Sequence, residues 1–242
     1  MNERILLGML TPSSNTTLEP VTTAMIAGLP EASAHFGRFR VTEISLSQAA
    51  LGQFDDNEIL RAAEMLAHAK VQVIGWSGTA AGWRGFDTDE LLCKRITAAT
   101  GIPSCTSVLA LNEALKQNGV RRLGLVTPYL TDVQAAIIKN YAADGIECVA
   151  EQHLGLQDNF SFSEVRADTL RAMVRNVALT RPDAIAILCT NLRGAPLVAE
   201  LEAETGIAIY DSISTVVWKS LALTGVSPAR VKGWGSLFTM VC

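Results

Sequence analysis

The sequence lacks most of the features that announce a metal or a cofactor. Its three histidines, His35, His68 and His153, share no spacing that suggests metal ligands or a catalytic triad, and they read as solvated or structural. Its five cysteines, Cys93, Cys105, Cys148, Cys189 and Cys242, form no CxxC pair. An odd count without metal-like spacing fits a reducing compartment better than a disulfide framework. No GxGxxG or phosphate-loop pattern follows a strand, so a dinucleotide site has no support. Lys+Arg number 20 against 24 Asp+Glu, a net charge of −4, with no basic run to form a nucleic-acid groove. The first apolar run stops at Thr11-Pro12, too short for a bilayer and without a signal-peptide layout. These absences leave a soluble globular protein, cytoplasmic by default, with neither nucleic acid nor membrane as partner. Homo-oligomerisation is left open.

What the sequence does contain is a duplication. Residues 4–12, RILLGMLTP, and 121–128, RRLGLVTP, each run from a basic residue through an apolar stretch to Thr-Pro. VQVIGWSGT (71–79) is then matched by AIAILCTN (184–191), and TGIPSCTS (100–107) by TGIAIYDS (205–212). Pro12 to Pro128, Gly78 to Cys189 and Thr100 to Thr205 are 116, 111 and 105 residues apart, so three landmarks recur in one order. Repeats at a near-constant interval signal a repeated structural unit. The pairing sets Gly78 opposite Cys189 across a pseudo-twofold axis.

Short apolar runs alternate with longer helical patterns, the mark of βαβ units and a parallel sheet. Strands are expected at 4–10, 39–45, 71–76 and near 102–105, then at 121–126, 145–150, 184–188 and 207–210. Helical periodicity falls at roughly 17–28, 57–69, 87–99, 106–117, 131–143, 163–179, 195–204 and 212–223. Acidic residues at Asp55, Asp56 and Glu58, and at Asp87, Asp89 and Glu90, open two of these helices, and Ser161 or Ser163 is a candidate cap for another. The expected fold is α/β, with two pseudo-symmetric lobes, 1–118 and 119–242, each a short parallel sheet flanked by helices. The last stretch, 231–242, is expected to return to the first lobe.

In such sheets ligands bind beyond the carboxyl ends of the strands. Four loops lie there: TPSSNTT (11–17), SGTAAGW (77–83), TPYLTD (127–132) and CTNLRG (189–194). They are rich in hydroxyl and amide groups and nearly free of acidic charge, which suits a small carboxylate.

Together PSSNTTLEP (12–20), TPY (127–129), DN (158–159) and CTNLR (189–193) resemble the aspartate/glutamate racemase superfamily, in its branch of maleate cis-trans isomerases and arylmalonate decarboxylases. The resemblance spans nearly the whole chain. It implies two Rossmann-like lobes with a small-carboxylate site between them and chemistry that needs no cofactor. Racemases and maleate isomerases of this superfamily carry a Cys in each lobe, whereas arylmalonate decarboxylases have Gly in the first and Cys in the second. Gly78 follows the decarboxylase pattern.

The resemblance implies Cys189 as proton donor to an enediolate, its thiol acidified by the helix N-terminus that follows. Around it stand Pro12, Asn15, Gly78, Thr79, Ala80, Tyr129, Asn159 and Thr190, with the Thr79 and Tyr129 hydroxyls, Asn15 and backbone N–H groups near Ala80 and Thr190 as carboxylate donors. Ala80 stands where decarboxylases tend to have a hydroxyl residue. Asn15, Tyr129 and Asn159 lean instead towards the isomerases. Decarboxylation of a malonate-type acid is therefore the first expectation, with isomerisation or racemisation as the alternative and a non-catalytic carboxylate-binding protein as the second class. Each residue also has a plainer reading: Asn15 as a helix cap, Thr79 and Thr190 as turn caps, Asn159 as loop, Arg193 in a surface ion pair, and Trp76 and Trp83 as core.

Overall fold

The computed structural model describes residues 4–47, 52 and 56–240. Two parallel four-stranded sheets carry the fold. The first has the order β2-β1-β3-β4, built from β1 (Ile5–Pro12), β2 (Ala32–Phe39), β3 (Val73–Trp76) and β4 (Ser104–Thr106). The second repeats that order as β6-β5-β7-β8, from β5 (Arg122–Thr127), β6 (Glu147–His153), β7 (Ala184–Ile187) and β8 (Ala208–Asp211). Strands β3 and β7 are buried throughout, as expected of parallel strands covered on both faces. The duplication read from three short motifs is thus a duplication of the whole sheet topology.

Helices fill the crossovers: α1 (Leu18–Ile26), α2 (Asp56–His68), the short α3 (Ala81–Arg84), α4 (Phe86–Thr100) and α5 (Ser107–Gln117) in the first repeat. In the second they are α6 (Thr131–Ala143), α7 (Ala167–Ala178), α8 (Val198–Thr205) and α9 (Ser212–Leu223). Asp87 and Asp89 occupy the first turn of α4, where negative charge suits the helix dipole. Asp55 lies outside the described residues, as does Cys242. Neither candidate serine caps α7: the Ser161 hydroxyl donates to Asp158 O and that of Ser163 to Phe160 O, both inside a separate 3-10 turn at Phe160–Glu164.

One strand falls elsewhere than expected. A strand was expected at 39–45, but β2 is ASAHFGRF, an edge strand of half-buried residues paired with all eight positions of β1. Val41 and Ile44 are buried in the joint between lobes instead, and the backbone leaves the sheet. Val41 O accepts from Ser14, Asn159 N donates to Thr42 O, and Ile44 N donates to Gln157 O. A short apolar run reports burial, not a ladder.

The C-terminal region also differs in detail. It is α9, not the final stretch, that lies on the first sheet. A Cβ at Gly75 would meet Val216 at 2.8 Å, and Thr215 Oγ1 donates to Ser107 O at 2.9 Å. Only a glycine in β3 admits a helix that close. The tail beyond α9 touches both lobes: Ser236 N and Oγ donate to Glu202 in the second, while Asn118 of the first lobe donates to Met240 Sδ at 3.0 Å and Arg230 reaches Glu31.

Candidate active site

Beyond the carboxyl ends of β1, β3, β5 and β7 the four polar loops converge. Asn15, Thr79, Tyr129, Asn159, Cys189, Thr190 and Pro12 are all buried there. Tyr129 is 1 % exposed and its hydroxyl lies 2.6 Å from Thr79 Oγ1, joining the two lobes. The same hydroxyl faces the Cys189 thiol. Aromatic packing against Trp83 and Phe162, at ring centroid distances of 5.2 and 5.6 Å, fixes the ring.

The repeat loops 77–80 and 188–191 also meet directly. Thr190 Oγ1 donates to Ser77 O at 3.1 Å, and Asn15 Nδ2 donates to Thr190 O at 3.0 Å and to its Oγ1 at 3.2 Å. Asn15 Oδ1 at the same time accepts from the N–H groups of Thr17 and Leu18, capping α1. Both functions of its amide are spent inside the protein. Asn159 is likewise engaged, donating from Nδ2 to Ser14 Oγ at 2.7 Å and accepting from Asn191 on its carbonyl at 2.6 Å.

Several donors remain unused. The backbone N–H groups of Gly78, Thr79, Ala80 and Thr190 bond to no acceptor among the described residues. Buried N–H groups are almost always paired, so these four stand out as donors not used by the protein itself.

Cys189 is 3 % exposed, and burial pushes its thiol up to about 11. The N–H of Asn191, 3.4 Å from Sγ, and the Tyr129 hydroxyl pull it down by less than burial raises it. The expected acidification by a helix N-terminus is therefore overturned. After Cys189 the chain turns through Thr190–Gly194 before a 3-10 turn begins at Ala195, so no helix starts directly after the cysteine. At neutral pH the thiol keeps its proton.

The opposite loop holds the main surprise. Gly78 is matched to Cys189 by the repeat, and an ideal Cβ there would lie within 2.5 Å of three ring carbons of Trp76. Trp76, at the end of β3, is 1 % exposed and packs on Phe39 with centroids 5.0 Å apart. Its core reading is correct, yet its ring also occupies the place of a side chain at position 78.

A family model described as arylmalonate decarboxylase matches residues 7–238. The chain belongs to the arylmalonate decarboxylase family. Among relatives of this family member, a maleate isomerase from Pseudomonas putida is 28 % identical over 251 residues, covering 99 % of each chain. An arylmalonate decarboxylase from Bordetella bronchiseptica is 26 % identical over 179 residues, covering 73 % of this chain and 75 % of that one. The crystal structure of a Pseudomonas putida maleate isomerase superposes with a TM-score of 0.89 at 23 % identity, covering 98 % of both chains. The two-lobed Rossmann-like architecture is that of these enzymes, and the protein is an enzyme of the same superfamily.

Three residues escaped the sequence reading. Asn191 accepts from the N–H groups of Thr16 and Thr17 and so locks CTNLR onto the first lobe. Ser14 links Asn159 to Val41. Asp211, fully buried, caps α9 through Ile213 N and Ser214 N, with the Ala195 N–H also directed at its carboxylate. The third repeat pair sets Asp211 opposite Thr106, which caps α5 through Leu109 N; that mismatch was the available signal. Arg193 is exposed and stands outside the cluster. Among the described residues no group of three or more His, Cys, Asp or Glu is gathered to hold a metal, and no helix is long and apolar enough to cross a membrane.

Proposed function

We propose that this enzyme decarboxylates a malonate-type acid through an enediolate, with Cys189 as the single proton donor. The observation that carries the reading is the pairing of a protonated, buried thiol at 189 with no side chain at 78. The C–C bond to the leaving carboxylate breaks, CO2 departs, and its electron pair passes into the remaining carboxylate. The free N–H groups of Thr79, Ala80 and Thr190, and the one proton left free by the Thr79–Tyr129 hydroxyl pair, suit the charge that develops there. The Cys189 proton then passes to the α-carbon from one face. The thiolate left behind is held by Asn191 N–H and the Tyr129 hydroxyl until water restores its proton.

Asn15 and Asn159 support the site from behind in this reading, because their amides are already committed. The whole-length likeness to maleate isomerases favours a second reading, maleate isomerisation. That reaction uses a nucleophile from the first lobe, and position 78 offers none. A panel of α-substituted malonates and maleate, assayed for CO2 and for fumarate, separates the two. CO2 release from a malonate is expected; conversion of maleate to fumarate at an enzymatic rate without CO2 release would overturn the proposal.

A further inference from the structure

We infer that Trp76 is the specificity-determining residue that makes this site one-sided: its indole ring excludes any side chain from position 78, and with it a second proton donor. The inference rests on the proposed decarboxylation for its catalytic consequence, but its steric core stands on the structure alone.

The argument begins with the repeat. Aligning Gly78 with Cys189 places Trp76 against Ile187, and both end the third strand of their sheet. Trp76 pairs with Leu10 and Thr106, and Ile187 with Val126 and Asp211, at matching positions of the two ladders. The backbones leaving these strands are alike: Ser77 N donates to Leu10 O at 3.1 Å and Leu188 N to Val126 O at 2.9 Å. Two residues past Ile187 the chain carries Cys189. Two residues past Trp76 it carries glycine, and a Cβ there would overlap Cζ2, Cη2 and Cε2 of the indole. The second lobe therefore spends a medium side chain at the strand end and has room for a thiol. The first spends a large one and has none.

Trp76 is almost fully buried and packs on Phe39 with ring centroids 5.0 Å apart, so turning its two-ring side chain towards that neighbour displaces it. On another side the ring borders, with Ile59, Ala80, Arg84, Thr88 and Leu92, a cavity of about 90 Å³. Position 78 is thus glycine for reasons of space. A carbanion formed between the loops meets an acid on the Cys189 side and, on the other, a loop of backbone N–H groups backed by an aromatic ring.

The test is a two-residue exchange in the full chain that gives the first lobe the pair found in the second: Gly78→Cys, Trp76→Ile and the double variant. Gly78→Cys alone is expected to lower Tm by about 4–12 °C, the range for overpacking in a chain of this size. Trp76→Ile alone also lowers Tm, because it opens a cavity. The double variant is expected to melt at least about 4 °C above the sum of the two losses, since each change relieves the other. On a malonate bearing two different α-substituents the wild type is expected to give one enantiomer in large excess, and the double variant a product moved towards equal amounts of both. Additive Tm losses would overturn the inference, as would a folded double variant that keeps the wild-type enantiomer ratio. A Gly78→Cys single variant with wild-type Tm that already scrambles the product would do the same. If the wild type releases no CO2 from any malonate, the functional reading falls, and the melting cycle alone decides whether Trp76 excludes a side chain at 78.

Discussion

The loops 77–80 and 188–191 occupy equivalent places in two copies of one fold, yet one presents Ser-Gly-Thr-Ala and the other Leu-Cys-Thr-Asn. They share what the fold demands: a buried position past the third strand, a threonine at the lobe joint, and backbone N–H groups left free. They differ in what chemistry uses. The second lobe holds a protonated sulfur acid and an asparagine that ties its loop to the first lobe, whereas the first holds a bare backbone with a tryptophan behind it. A duplicated scaffold supplies two similar half-sites, and in the proposed reaction the asymmetry between them sets the outcome. Two thiols would allow proton traffic on both faces of the proposed flat intermediate; one thiol would commit it to a single face.

The largest expected effect removes the working side of this comparison. Cys189→Ser keeps the shape of the loop but replaces the acid with a hydroxyl far less able to give up a proton. Turnover should fall about 10³-fold, mid-range for loss of a general acid, with little change in Tm. Malonate-dependent CO2 release checks it, and a serine variant with wild-type turnover would restore equality between the two loops and remove Cys189 from the mechanism.

Next is the residue that joins the halves. Tyr129→Phe deletes the hydroxyl set between Thr79 and Cys189 while the ring contacts with Trp83 and Phe162 remain. The loss should lower kcat about 10²-fold, the low end for one donor to a developing oxyanion. It should leave KM much less affected, because the charge it meets grows in the transition state. A raised KM with kcat unchanged would make Tyr129 a ground-state binding group instead. Asn15→Ala acts on the joint differently, since it strips the cap of α1 and leaves Thr190 O without a donor. It should cost about 2–3 kcal/mol, or roughly 5–10 °C in Tm, which a thermal melt reads directly.

Much of this was legible from the chain. Seven of eight strands were readable: β1, β3, β5 and β7 lie inside their sheets and are short apolar runs, while the edge strand β6 was readable only through its apolar centre, Cys148 to Ala150. The exception, β2, is an edge strand with His35, Gly37 and Arg38 in it, and its neighbour 39–45 looked more strand-like because it fills the lobe joint. The site positions followed from the repeat, but their environments did not. Cys189 lies in the loop that follows β7 as expected, but burial pushes its thiol up rather than down, because the surroundings of the sulfur are set by packing that the motif does not show. Trp76 was readable as core and not as the reason for Gly78, because the clash is between an indole and an atom that glycine lacks.

The smallest expected effect concerns the third repeat pair. Thr106 and Asp211 do the same work as caps, one neutral and one a carboxylic acid, and burial pushes Asp211 up from 3.8 to about 7 while the N–H groups of Ile213 and Ser214 only partly offset it. An acid whose folded-state value is raised binds its proton more tightly in the folded chain than in the unfolded one. Its stabilisation is therefore complete below about pH 4 and is lost as pH rises through about 7, at no more than about 1.4 kcal/mol per pH unit. Asp211→Asn keeps a capping oxygen and removes the titration, so the difference in Tm between variant and wild type should shift in the variant's favour between pH 4 and 7 and stay constant above. Parallel Tm profiles would show that Asp211 ionises as freely in the fold as outside it. The carboxylate also holds the Cys189 thiol up once ionised, so the same variant should bring the alkaline limit of activity to lower pH, an effect no substitution at the neutral Thr106 can produce.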